Sequence, residues 1–99
     1  MRFTWNAAKA ESNLKKHRVS FETAARAFAD PFALSEQDRI EGGEQRWQTI
    51  GLVEGHLLLL VAHTVAEEGG NDEYVEVIHI ISARRAERTE RKRYEEERR

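Results

Sequence analysis

The spacing of hydrophobic and polar residues divides the chain into a helical first third and an extended middle. Residues 3–5 have the composition of a short strand, and Asn6 is a favourable N-cap for a helix that runs to about His17. The apolar face of this helix consists of Ala7, Ala10 and Leu14. Its opposite face carries Lys9, Asn13 and Lys16, so the first helix is predicted to expose two bases and an amide together.

A second helix is predicted after the N-cap Ser20. Its buried stripe follows the spacing i, i+3, i+4, i+7 and consists of Phe21, Ala24, Ala25 and Phe28. Asp30-Pro31 should end this helix, because the residue before a proline disfavours the helical conformation.

From residue 32 onwards the period is that of strands separated by turns. The predicted strands are Pro31–Arg39, Gln45–Val53, His56–Val65 and Glu73–Ser82. The unbroken apolar run Leu57–Val61 marks the third of these as a central strand that is covered on both faces. Glu54-Gly55 is expected to form a short hairpin turn, and the polar stretch Glu67–Asp72 a loop.

A final helix is predicted from the N-cap Ser82 to about Glu97. Beyond Ala83, Ala86 and Tyr94 it has almost no apolar side chain to bury, so ion pairs four residues apart should support it and its end should fray without a partner. Tyr94 is expected to be exposed. The order β-α-α-β-β-β-β-α predicts a single α+β domain over residues 1–99, with two N-terminal helices packed on a mainly antiparallel sheet and a polar C-terminal helix.

Composition changes this picture in two ways. The chain has no cysteine, which excludes disulfides and thiolate ligands, and its longest apolar run is too short to cross a bilayer, so we expect a cytoplasmic protein that does not enter membranes. The net charge of −2 conceals a segregation: residues 1–34 hold six Lys/Arg and three Asp/Glu, residues 35–76 two and ten, and residues 77–99 eight and five. If the basic ends meet in the fold, they form a surface that can bind phosphates.

The strongest local signal for chemistry is Ser82-Ala83-Arg84-Arg85, at the predicted start of the last helix. Free backbone N–H groups at a helix N-terminus and two guanidinium groups would bind a phosphate. The alternative is that these arginines pair with Glu87, Glu90 or the acidic middle segment.

His63 is the second candidate, because it is predicted to leave the core at a strand end and face a cleft, where it would transfer protons near neutral pH. A structural role for a lone histidine is the alternative. Four scattered histidines without a cysteine do not indicate a metal site, and no cofactor motif is present.

These residues belong to a pattern that resembles the BrnT toxin family along nearly the whole chain. The matching blocks are Phe3-x-Trp5-Asn6-x-x-Lys9-x-x-x-Asn13-x-x-Lys16-His17, Val19-Ser20-Phe21-Glu22-x-Ala24, Asp30-Pro31, Glu44-x-Arg46, Ile50-Gly51, Val61-x-His63-Thr64, Ile80-Ile81-Ser82-Ala83-Arg84-Arg85-Ala86, Glu90-Arg91 and Tyr94-Glu95. His79 and Arg85 depart from the pattern, since Arg and Lys are expected there in many relatives.

The resemblance implies a RelE-like ribonuclease that cleaves RNA and halts translation. It also implies a cognate BrnA-like antitoxin with a ribbon-helix-helix domain, a hetero-oligomer with two copies of each chain, and contact with operator DNA only through the antitoxin. The basic ends would then face RNA.

Metal-independent RNA cleavage needs a base for the 2′-hydroxyl, cations for the phosphate and an acid for the leaving 5′-oxygen. We expect His63 or His17 to move a proton and Arg84, Arg85 and Arg46 to bind the scissile phosphate. Lys9 and Lys16 would hold flanking phosphates beside Asn13, and Tyr94 would stack on a base or assist. The alternative function is a non-catalytic module that binds RNA or a protein.

Overall fold

The computed structural model describes residues 1–98, and its helices and strands follow the predicted order. The strands are β1 (Arg2–Trp5), β2 (Leu34–Glu41), β3 (Glu44–Val53), β4 (Leu57–Gly70) and β5 (Glu73–Arg85). The helices are α1 (Ala7–His17), α2 (Phe21–Arg26), which a 3₁₀ turn at Ala27–Ala29 extends, and α3 (Arg88–Glu97). The side chains of Asn6 and Ser20 cap α1 and α2 as predicted.

The strands form one sheet in the order β1-β5-β4-β3-β2. Only the β1–β5 pair is parallel, which confirms a mainly antiparallel sheet. The predicted central strand, β4, lies in the middle of this sheet, and its residues 58–61 are buried.

The two N-terminal helices cover one face of the sheet, which we call the helix face. Phe21 and Ala24 pack there against Leu59, Val61 and Ile80. The close approach of β3 depends on Gly51, because a Cβ at that position would lie 2.3 Å from the carbonyl oxygen of Ala27. A glycine in β3 thus lets the 3₁₀ turn contact the sheet backbone.

The opposite face, which we call the α3 face, is only partly covered. Tyr94 of α3 packs on Ile50, Leu58 and Leu60, and its exposed fraction is 3%. The prediction that Tyr94 is exposed is therefore wrong. Helix α3 is otherwise polar, and the ring of Tyr94 provides its apolar contact with the sheet.

The Tyr94 hydroxyl group also fixes α3 to the chain that follows α2. It donates a hydrogen bond of 2.5 Å to Asp30, whose carboxylate also accepts from the backbone N–H groups of Leu52 and Phe32. Burial alone would raise the pKa of Asp30, but these hydrogen bonds and the charge of Arg98 hold it below its usual value. Burial, together with this carboxylate, raises the pKa of Tyr94 to about 12.

Two predicted boundaries are wrong, one at the end of β5 and one at the end of β4. The last helix begins at Arg88, where Glu87 and Glu90 form a capping box, and residues 82–85 belong to β5. The predicted loop at Glu67–Asp72 is a hairpin instead, in which β4 continues to Gly70 and only Asn71 and Asp72, both with positive φ, form the turn.

The ion pairs of α3 also differ from those predicted. Within residues 1–98 the predicted pairs four residues apart along α3 are not formed. Arg84 pairs with Glu90 instead, and Arg93 pairs with Glu36 of β2. The charges of α3 therefore bind it to the sheet rather than to itself.

Asn13 is buried, contrary to its predicted place on an exposed polar face. Its side-chain amide group donates to the carbonyl oxygens of Val19 and Ala83, both at 2.9 Å, and its oxygen accepts from the N–H of Ala83 at 3.1 Å. Strand β1 ends opposite Ile80, so Asn13 takes the place of a strand partner for the next part of β5. This contact positions α1 beside the end of β5.

No helix in residues 1–98 combines the length and the apolar character needed to cross a membrane.

Candidate functional site

Two basic depressions meet on the surface where α1 lies against β5. One, of about 180 Å³, lies between α1 and β5, and the other, of about 220 Å³, lies on the uncovered part of the α3 face. Ile81 and Ser82 line both. A β-bulge occurs here, because Ala62 pairs with Ser82 while His63 pairs with Ile80. Bulges reorient side chains and are frequent beside functional sites.

The depression beside α1 is lined by the polar face of that helix. Lys9, Ser12, Lys16 and His17 surround it, and Ile81 and Ser82 close it on the β5 side. Lys15 pairs with Glu11 at 3.2 Å, whereas Lys9 and Lys16 have no carboxylate at ion-pair distance in residues 1–98. The predicted grouping of bases on α1 is confirmed, and their charges face the depression.

The depression on the sheet has small residues at its floor and charged residues at its rim. Ala62 and Ser82 form the floor beside Leu60, and the rim consists of Asp38, Arg39, Arg46, Gln48 and Arg84. Gln48 donates a hydrogen bond to Asp38 at 3.4 Å. Arg39 is paired with Asp38 at 3.5 Å and with Glu41 at 3.1 Å. Arg46 has no carboxylate at ion-pair distance within residues 1–98, so its guanidinium group can bind an anion in this depression.

Arg46 has a property that no other side chain in residues 1–98 shares. Its Nε atom is buried and has no hydrogen-bond partner within residues 1–98. An unpaired buried donor costs about 1–3 kcal/mol and is rare in native proteins. A ligand that accepts a hydrogen bond in this depression would remove that cost.

Arg84 is partnered, in agreement with the alternative considered above. Its two terminal nitrogens bind the carboxylate of Glu90 at 2.9 and 2.8 Å. The bond to Arg84 lowers the pKa of Glu90, and the bond to Glu90 raises the pKa of Arg84, so both groups stay charged at neutral pH. The predicted phosphate site at a helix N-terminus does not exist, because Arg84 and Arg85 lie at the end of a strand.

His63 lies on the other face of the sheet from Arg46 and Arg84, and it does not leave the core. Its exposed fraction is 2%, and its Nε2 atom is hydrogen-bonded to the hydroxyl group of Thr49 at 2.7 Å. The ring packs edge-on against Phe28, and burial lowers its pKa. His63 is thus separated from the basic depressions. Its buried and hydrogen-bonded position fits the alternative considered above, a structural role.

The remaining predicted residues fall into two groups. Arg46, Lys9, Lys16 and His17 lie along the two depressions, and Arg84 lies at their edge. Asn13 also lines the α1 depression, but its polar atoms are bound within the protein. Two others lie outside the linings: the hydroxyl group of Tyr94 is bound to Asp30, and Arg85 is exposed one position beyond Arg84.

The sequence analysis missed Arg39 and Gln48 as members of the site. Both lie on the strands of the β2–β3 hairpin, which turns at Gly42-Gly43. Side chains alternate along a strand, so Gln48 lies on the same face as Arg46. This spacing could have identified Gln48 from the sequence. Within residues 1–98, no group of three or more His, Cys, Asp or Glu side chains has the arrangement of metal ligands.

Comparison with known proteins adds the identity of the family. The sequence profile described as "Ribonuclease toxin, BrnT, of type II toxin-antitoxin system" matches residues 5–90, which is most of the chain. The protein belongs to the BrnT family. This confirms the resemblance inferred from the sequence blocks, and membership in a type II system implies a protein antitoxin as partner.

A solved BrnT structure has the same fold. The crystal structure of the Brucella abortus ribonuclease toxin BrnT aligns with a TM-score of 0.57 at 19% sequence identity, over 89% of this chain and 99% of that chain. At this identity the likeness concerns the α+β fold, which it confirms. No curated protein matches the chain significantly.

Proposed function

We propose that this BrnT-family protein cleaves RNA at the two joined depressions and thereby inhibits translation. The observation that carries the proposal is the unpaired Nε of Arg46 in a depression that continues, past Ser82, to Lys9 and Lys16. RNA supplies phosphate oxygens at regular intervals, so one strand can contact Arg46 and the lysines of α1 together.

Arg46 would bind the scissile phosphate in this arrangement. Its fork of donors stabilises negative charge as the 2′-oxygen attacks the phosphorus and the 5′-oxygen leaves. Lys9 and Lys16 would hold a flanking phosphate. The small, polar side chain of Ser82 lies between the two depressions, where the RNA backbone can come close to the protein. Arg84 adds positive charge at the edge while Glu90 fixes its position.

Proton transfer would fall to His17 rather than to His63. His17 lines the α1 depression, whereas the ring nitrogens of His63 are bonded to Thr49 and to the carbonyl oxygen of Thr64 on the other face of the sheet. A histidine with access to solvent can take the proton of the 2′-hydroxyl group or protonate the leaving 5′-oxygen near neutral pH, and solvent water would exchange the other proton.

The proposal includes cleavage without a metal ion, which leaves a 2′,3′-cyclic phosphate. It also includes a cytoplasmic location and neutralisation by a BrnA-like ribbon-helix-helix antitoxin in a complex with two copies of each chain. The antitoxin would provide any contact with operator DNA.

End-labelled RNA incubated with the purified protein tests the proposal. We expect new RNA ends in buffer with excess EDTA, and a loss of about 100-fold in kcat/KM for Arg46→Ala, in line with the removal of one transition-state donor. Arg26→Ala is the matched control, because Arg26 is bound to Glu54 and lies outside both depressions.

Three results would contradict parts of this account. RNA that is bound but never cut would identify the protein as a binding module. Cleavage that EDTA abolishes would contradict metal independence, and full activity of Arg46→Ala would remove Arg46 from the site.

A further inference from the structure

A second surface lies on the helix face of the sheet, away from the basic depressions. A cavity of about 250 Å³ opens there between the 3₁₀ turn and strands β3, β4 and β5. Its walls are mostly apolar and include Phe28, Trp47, Val65 and Ile78. A cavity of this size and lining accommodates one large apolar side chain.

The rim of this cavity continues into an acidic ribbon, which we define as the β4–β5 hairpin from Glu67 to Glu76. This segment contains five carboxylates and no basic residue, namely Glu67, Glu68, Asp72, Glu73 and Glu76. Strand β1 reaches only to the residue paired with Val77, and β3 pairs with β4 only up to His63, so the ribbon extends beyond its neighbours. Its charge excludes nucleic acid as the natural occupant of this surface.

Two of the carboxylates repel each other when no partner is bound. Glu67 and Glu76 are directly opposite each other in the β4–β5 pairing, and Glu76 lines the cavity. Residues directly opposite share one face of the sheet, and like charges in that position are destabilising. A cationic partner beside the cavity would remove this repulsion.

Exposed hydrophobic side chains accompany these charges. Tyr74 is two residues from Glu76 and so lies on the same face, with an exposed fraction of 70%, and Val65 at the cavity is 37% exposed. Aromatic side chains surrounded by polar residues are typical of protein–protein contact sites.

We propose that this surface, formed by the cavity with Val65, Glu67, Tyr74 and Glu76, anchors the protein antitoxin. The occupant is a segment that inserts one large apolar side chain into the cavity and places Lys or Arg beside Glu67 and Glu76. The inference rests on the toxin–antitoxin role in the proposed function. It separates the antitoxin anchor from the RNA surface, whose Arg46 depression lies on the opposite face of the sheet.

The test uses the cognate protein antitoxin of this toxin, with binding measured by calorimetry. The double variant Glu67→Gln/Glu76→Gln should bind about tenfold more weakly than the unmodified protein and show a smaller dependence on salt. Its melting temperature should not fall, because the substitution removes a repulsion. Weaker binding by a protein that is no less stable distinguishes a contact role from a structural one. Tyr74→Ala should also weaken binding about tenfold.

The matched control is Glu41→Gln/Glu44→Gln. These two carboxylates also face each other across a hairpin, in β2 and β3, where Glu41 is bound to Arg39, and neither lines the apolar cavity. We expect antitoxin affinity within twofold of the unmodified protein. Cleavage of RNA by Glu67→Gln/Glu76→Gln without antitoxin should be unchanged, so failure of the ribonuclease proposal is detected separately.

Unchanged antitoxin affinity in Glu67→Gln/Glu76→Gln and Tyr74→Ala would overturn the inference, as would a complete lack of binding by the unmodified protein. Self-association of the isolated toxin that these substitutions abolish would assign the surface to a second copy of the chain and also overturn it.

Discussion

His63 and Arg46 lie on opposite faces of the sheet, and their buried nitrogen atoms differ in hydrogen bonding. On the helix face, His63 is bonded to Thr49, whose hydroxyl group is in turn bonded to Ser35 at 2.7 Å. On the α3 face, the buried Nε of Arg46 has no partner within residues 1–98. Satisfied polar groups stabilise the fold, whereas an unsatisfied one indicates where a ligand belongs. Asn13, Tyr94 and His63 have their polar atoms bound within the protein, whereas Arg46, Lys9 and Lys16 are the residues that contact RNA in our proposal.

The largest effect on stability is expected for Asn13→Ala. The substitution leaves the backbone groups of Val19 and Ala83 without three hydrogen bonds in a buried position. At about 1 kcal/mol for each bond, the free energy of unfolding should fall by about 3 kcal/mol, measured by urea denaturation. A loss of RNA binding at unchanged stability would move Asn13 from the structural to the functional group.

Tyr94→Phe should have a smaller effect. It removes the hydrogen bond to the Asp30 carboxylate, and bonds to charged groups contribute about 2 kcal/mol. Because the pKa of Asp30 is lowered in the fold, its contribution is present above the ordinary value of 3.8 and is lost as pH falls through the folded value. The difference between the two proteins should therefore shrink in acid, and a difference that grows in acid would contradict this linkage.

His63→Leu should change the pH dependence of stability more than its value at neutral pH. Burial lowers the pKa of His63, so the unfolded chain binds a proton first, and stability falls as pH drops below the ordinary value of 6.5. Thermal unfolding of His63→Leu should depend less on pH in that range. An unchanged pH dependence would show that another group causes it.

The smallest effect is expected for Lys9→Gln/Lys16→Gln, on RNA affinity alone. The exposed lysines contact flanking phosphates in our proposal, so the variant should bind RNA several-fold more weakly and with a reduced salt slope. Its melting temperature should match that of the unmodified protein. Lys15→Gln is the control, because Lys15 is already paired with Glu11.

The sequence predicted the order of elements because their caps, turns and periods are local. Asn6, Ser20 and Glu54-Gly55 act within a few residues of their own positions, and all were placed correctly. The helix start at Ser82 was wrong because the pairing of Arg84 and Arg85 with Leu60 and Leu59 of β4 is a long-range contact. That pairing prevails over a local capping signal.

The site was predicted in part for the same reason. The bases of α1 share a face through helical periodicity, which local spacing reveals. The meeting of α1 with the β5 bulge depends on the bond between Asn13 and Ala83, which are 70 residues apart. Neither that contact nor the burial of Tyr94 against the sheet follows from spacing along the chain, so the burial of Asn13 and Tyr94 was not predicted.

The most direct test of the central claim compares Arg46→Ala with His63→Leu in one RNA-cleavage assay, at a pH and temperature where both are folded. If the α3 face, which contains Arg46, carries the reaction, Arg46→Ala loses about 100-fold in kcat/KM, while His63→Leu keeps nearly the kcat/KM of the unmodified protein. Abolished cleavage in His63→Leu with full activity in Arg46→Ala would reverse the assignment of the two faces.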